Sequence, residues 1–192
     1  MRLAAGALVA LAAAAAMAPS LEGAHSQEPV TRDCGASVYG DLGGDWMPAS
    51  VVAGPLAFVA ARSIASSTSS FAGVGGGRYR PSKLLVVVRT GWVARIVVPA
   101  AQRGRLALRY EPATFNDAVA PSLGAHDVIF TACPPGRPFL GPTTARWTQF
   151  NGAVTVAGRR CVTLFVYAAK QGHPLPERAR ATRLSFGAGA CR

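Results

Sequence analysis

Apolar positions recur in short alternating runs along this chain, and beyond its N-terminal apolar run no window keeps an i, i+3, i+4 apolar spacing. Residues 105–110 show the pattern. Leu106, Leu108 and Tyr110 fall on one side of an extended strand, and Arg105, Ala107 and Arg109 fall on the other. Comparable runs lie at 56–61, 84–89, 92–98, 127–133, 147–156, 161–167 and 183–188, bounded by Gly, Pro and polar turn residues. The 84–89 run is continuously apolar, which predicts burial. Breaks at Thr90-Gly91 and Gln102-Arg103-Gly104 predict that 84–89, 92–98 and 105–110 form an antiparallel meander. The runs 147–156 and 161–167 are expected to pair as a hairpin around 157–160. Residues 63–82, SIASSTSSFAGVGGGRYRPS, read as a long mobile loop. About eight short strands without helices predict an all-β fold, an antiparallel β-sandwich with an Ig-like sandwich as its leading form.

The first residues change the picture of where the chain goes. Arg2 precedes an alanine-rich apolar run at 3–18, and Ala24-His25-Ser26 places small residues at the two positions that specify cleavage. This is the layout of a secretory signal peptide over 1–26, with a single secreted domain over 27–192. The run is shorter and less apolar than the roughly 20-residue stretch a spanning helix needs. The expected location is outside the cell or at the cell envelope.

All four cysteines, Cys34, Cys133, Cys161 and Cys191, lie beyond that segment, and an even count in an exported chain implies two disulfides. No C-x2-C pair suggests zinc, and no cysteine-nucleophile motif accompanies His126 or His173. Strand parity puts Cys133, Cys161 and Cys191 on the less apolar side of their strands, at strand ends. The favoured pairing is Cys133 with Cys161 and Cys34 with Cys191. Cys161 with Cys191, across an antiparallel pair, is the rival.

Charge adds a candidate surface. The chain has 20 basic and 9 acidic residues and a net charge of +11. From Trp46 to Tyr110 no acidic residue occurs, but basic ones recur. Arg95, Arg105 and Arg109 are expected to project together from the meander as an anion-binding face. Arg78, Arg80 and Lys83, interleaved with Tyr79, extend it. Catalytic constellations are thin. Ser122, His126 and Asp127 lack a G-x-S-x-G context, and adjacent strand residues point to opposite faces. Gly75-Gly76-Gly77-Arg78 lacks the phosphate-loop pattern. Neither a catalytic residue nor a cofactor or metal site is expected.

The succession GPLAFVAAR, KLLVVVRTGW, VIFTACPP, TQFNGAVTVAGRRCVTLFVY and LSFGAGAC resembles a group of uncharacterised secreted proteins of actinobacteria over most of 27–192. The resemblance implies export and carries no activity, cofactor or site. The resulting expectation is a non-catalytic exported module. It binds another secreted protein or an anionic envelope polymer. The alternatives are a hydrolase of unfamiliar type and a structural or inhibitor-like domain that uses the 63–82 loop.

Overall fold

The computed structural model describes residues 28–38, 40, 42, 45–66, 79, 81–114, 120–135 and 146–191. The expected signal segment 1–26 lies outside them, as do 67–78 and Arg80 of the 63–82 loop. In chain order the elements are β1 (Val30–Arg32), β2 (Val51–Ala53), β3 (Leu56–Phe58), α1 (Ala61–Ser66), β4 (Ser82–Lys83), β5 (Val86–Arg89) and β6 (Trp92–Val97). There follow β7 (Leu106–Arg109), β8 (Asp127–Thr131), β9 (Trp147–Phe150), β10 (Ala153–Val156), β11 (Arg160–Lys170) and β12 (Arg180–Phe186). The expected all-β class, antiparallel sheets and two disulfides are present. The β1–β8 pair is parallel.

One layer is a five-stranded sheet, β1-β8-β6-β11-β12. The opposite layer comprises β2-β3-β5-β9 and β4-β10-β7. These two ladders are halves of one bent sheet. β4 runs on into β5 and β9 into β10, and the Leu84 N–H donates to the Gly152 carbonyl at 2.9 Å across the bend. Alternation persists through it: Leu84, Val86 and Val88 face the core, as do Phe150, Val154 and Val156. Gly152 occupies the inward position between Phe150 and Val154. The ring of Tyr110 fills the space a side chain would take, so a Cβ there would sit 2.0 Å from the ring. The Tyr110 hydroxyl donates to the Leu84 carbonyl at 2.8 Å. Burial pushes that hydroxyl's pKa well above the usual tyrosine value. Tyr110 also packs edge-on against Phe130 of the other layer, at 4.9 Å between centroids. The two layers thus share one apolar core.

Several local expectations are corrected. The meander does not form: β5 joins the four-stranded half, β6 the five-stranded sheet and β7 the three-stranded half. Thr90-Gly91 is a crossover between layers. Gly91 takes a left-handed φ of 79°, and the Pro135 ring lies 3.3 Å from where its Cβ would be. The expected hairpin is absent for the same reason. β10 pairs with β4 and β7, whereas β11 pairs with β6 and β12. Residues 63–66 belong to α1 rather than to a mobile loop. Gly187 and Gly189 donate backbone bonds to the Ile64 and Ala65 carbonyls, and Ile64 packs against the core.

The favoured disulfide pairing is also corrected. The bridges are Cys34–Cys133 and Cys161–Cys191, with Cα separations of 4.7 and 5.7 Å. Parallel pairing brings the C-terminal ends of β1 and β8 together, so Cys34 meets Cys133. Cys161 lies opposite Ser185 on β12, and the chain turns back after Phe186 to bring Cys191 to it. Cys133 follows β8 and Cys161 lies on β11, and these strands flank β6 on opposite sides. The two bridges are consistent with an extracellular location. No helix among the described residues is long and apolar enough to cross a membrane.

Candidate binding surface and end pocket

The arginines expected to form one face are separated. Arg95 lies on β6, and its guanidinium is committed to Asp127: Nε donates to Oδ1 at 2.8 Å and Nη2 to Oδ2 at 2.5 Å. That hydrogen-bonded carboxylate raises the Arg95 pKa, against the desolvation of partial burial. Arg109 sits on β7 in the other layer and is only 3% exposed. Residues 121–125 explain this. They fold over the outward side of β7, and a Cβ on Gly124 would come within 2.5 Å of the Ala107 Cβ. Ala125 also bridges Leu108. Arg105 is exposed just before β7, and Lys83 is exposed on β4. Arg78 and Arg80 fall outside the described residues.

Of the residues of the hydrolase reading, His126 and Asp127 are engaged structurally and Ser122 is exposed. The His126 Nε2–H donates to the carbonyls of Arg103 (3.0 Å) and Pro121 (2.9 Å). Desolvation lowers the His126 pKa, and the charge of Arg103 lowers it further, against those two hydrogen bonds. Asp127 is held by Arg95. Among the described residues no group of three His, Cys, Asp or Glu side chains is placed to hold a metal ion.

A different site emerges at one end of the sandwich. Backbone bonds hold three segments side by side there. Arg89 N–H donates to the Pro55 carbonyl at 2.8 Å, and Thr90 N–H to the Arg146 carbonyl at 3.0 Å. Arg89 and Trp147 are register partners at the ends of β5 and β9, so their side chains leave the sheet on one side. The crossover then places Trp92, whose carbonyl accepts from Ala132 N–H at 3.0 Å. Residues 45–50 fold back beside these segments. The buried Ser50 hydroxyl donates to the Trp46 carbonyl at 2.6 Å and fixes that turn.

Together these residues enclose a surface pocket of about 560 Å³. Its apolar lining comes from Met47, Val52, Trp92 and Trp147, and Arg89 and Arg146 supply its charge. Met47 is 37% and Val52 45% exposed, so apolar surface is open to solvent here. Trp46 packs edge-on against Trp147 at 5.6 Å between centroids. All three tryptophans of the chain therefore stand at this one end. Both arginines are exposed, and no carboxylate forms an ion pair with either among the described residues. Concave apolar walls with a few convergent polar groups are the general form of a ligand site. Planar guanidinium groups suit a carboxylate or phosphate.

A second pocket of about 460 Å³ lies between α1 and the end of β12. It is lined by small and apolar side chains such as Val51, Ala61 and Ala65 beside Cys191, also carries Arg62 and Arg183, and offers no aromatic wall. Sequence reasoning passed over the tryptophan pocket because its parts lie far apart in the chain. A signal was present: Arg89 stands three residues before Trp92, and Arg146 immediately before Trp147, each beside a turn or loop. No protein-family model matches the chain, and no curated protein matches its sequence.

Proposed function

We propose that this chain is a non-catalytic exported β-sandwich module that binds an anionic polymer at the cell envelope or outside the cell. The observation that carries the reading is the end pocket, where exposed Arg89 and Arg146 flank walls of Trp92, Trp147 and Met47. A chain of +11 net charge draws polyanions to its whole surface. The pocket adds what general charge lacks, an apolar wall beside two cations that pair with no carboxylate among the described residues. Export over a signal segment ending near Ser26, as in the secreted actinobacterial proteins the chain resembles, belongs to the same proposal. The mature chain then begins near Gln27.

Retention on an immobilised anionic polymer such as heparin tests the reading. Replacing Arg89 and Arg146 together by Ser removes two cations at the pocket. Replacing exposed Arg178 and Arg180 by Ser removes two cations elsewhere. The account expects the first pair to elute at markedly lower salt than the second. Equal shifts would mean that net charge alone governs binding.

A further inference from the structure

The outward face of the five-stranded sheet differs from the rest of this basic chain. Register fixes its rows. Ile129, Arg95 and Tyr167 stand side by side across β8, β6 and β11. Asp127, Val97, Phe165 and Ala181 form the next row, which extends to β12. These side chains point away from the core that Ala94, Ile96, Val128, Phe130, Leu164 and Val166 occupy. They are half-buried or exposed, with Phe165 at 36%. The charged side chains of these two rows, Arg95 and Asp127, cancel in one bidentate pair.

These two rows are thus largely apolar and without net charge, on a chain of net charge +11, and Arg183 stands in the next row, opposite Thr163. We propose that a second copy of this chain docks on it, face to face about a two-fold axis. Charge decides the occupant. Most of the surface of one copy repels another, so two copies approach most cheaply where the local charge is zero. A plus and a minus side by side, ringed by apolar side chains, are self-complementary under a two-fold operation. Arg95 of each copy can then lie against Asp127 of the other. A polyanion meets the Asp127 carboxylate beside Arg95 here, so the pair offers it no net attraction. Phe165, a half-exposed aromatic amid Val97 and Ala181, is the central anchor such interfaces use. The inference is independent of the pocket and its ligand.

Salt separates the two associations by sign. Dimerisation tightens with salt as repulsion between like-charged copies is screened, whereas polyanion binding weakens. Sedimentation equilibrium of the mature chain, from low to high micromolar concentration, is expected to show a monomer–dimer equilibrium that tightens as salt is added. Phe165→Arg should leave only monomer, with an unchanged far-UV circular dichroism spectrum. Ala181→Arg, at an exposed position in the same row, gives the same readout if the first variant fails to fold. Asp127→Asn should weaken dimerisation roughly tenfold or more, and the double exchange R95D/D127R should restore it. A wild-type chain that stays monomeric throughout, or a dimer that survives both arginine substitutions, overturns the proposal.

Discussion

The outward faces of the two layers follow the same period-two alternation but are finished differently. On the five-stranded sheet, Val93, Val97, Ile129 and Phe165 remain half-buried or exposed around the Arg95–Asp127 pair. On the bent sheet, outward Ala57, Val87, Gln149, Ala107 and Arg109 are buried. Among the described residues, two irregular segments contribute to that cover. One follows Cys34 and runs beside β9, where Val38 bridges Gln149 and the Gly40 carbonyl accepts from the Gln149 side chain at 2.6 Å. The other is 121–125, lying on β7. An apolar outward residue therefore does not by itself say whether a sheet face is closed. The loops decide that, and they also decide where a ligand can enter.

The contrast can be broken most strongly by releasing the first covering segment. Cys34–Cys133 anchors it and closes a 99-residue separation, so its removal should cost about 4.7 kcal/mol in the chain-entropy model. Removing Cys161–Cys191, with a separation of 30, should cost roughly 3.6 kcal/mol and leave that cover in place. Chemical denaturation of the two paired Cys→Ala variants measures the difference. Gly152→Ala attacks the bend instead. With Tyr110 2.0 Å from the new methyl, about 3 kcal/mol or more should be lost. Tyr110→Phe keeps the ring but leaves a carbonyl short of its donor, for roughly 1–2 kcal/mol.

A smaller effect should come from acid. His126 ties 121–125 to the Arg103 region, and its pKa lies below the ordinary value of 6.5 in the folded chain. The unfolded chain then takes up that proton first as pH falls. This contribution to stability is complete above about pH 6.5 and declines below it, until folded His126 also protonates. Melting temperature followed from pH 7.5 downward should show the decline, and His126→Gln should flatten it. At the bottom of the scale, Phe165→Ser on the uncovered face should change monomer stability by no more than about 0.5 kcal/mol. A large loss there would mean that this face is packed in the monomer.

Sequence pattern carried the strands well and the connections poorly. The parity of Leu106, Leu108 and Tyr110, and of Val162, Leu164 and Val166, was legible because one face of each strand enters a core. Partnership was not legible, since a two-residue break such as Thr90-Gly91 reads alike as a hairpin turn or a crossover. The pairing settles it: β5 joins β3 and β9, whereas β6 joins β8 and β11. The disulfide pairing followed from that same topology, through the parallel β1–β8 pair. Alternation also placed Arg109 outward, which is correct, but gave no sign that 121–125 would bury it. The pocket lay further out of reach, because residues 47, 52, 89, 92, 146 and 147 meet only once the sandwich closes.

The central claim is that this end pocket, rather than net charge, recognises the anionic ligand. Trp92 and Trp147 line it and Trp46 packs on Trp147, so intrinsic tryptophan emission reports on this region with no label. The measurement is a fluorescence titration of the mature chain with an anionic polymer at two salt concentrations. The account predicts a saturable change in emission that weakens with salt, is lost in R89S/R146S and persists in R178S/R180S. Polymer binding that leaves tryptophan emission unchanged, or equal losses from the two arginine pairs, would contradict it.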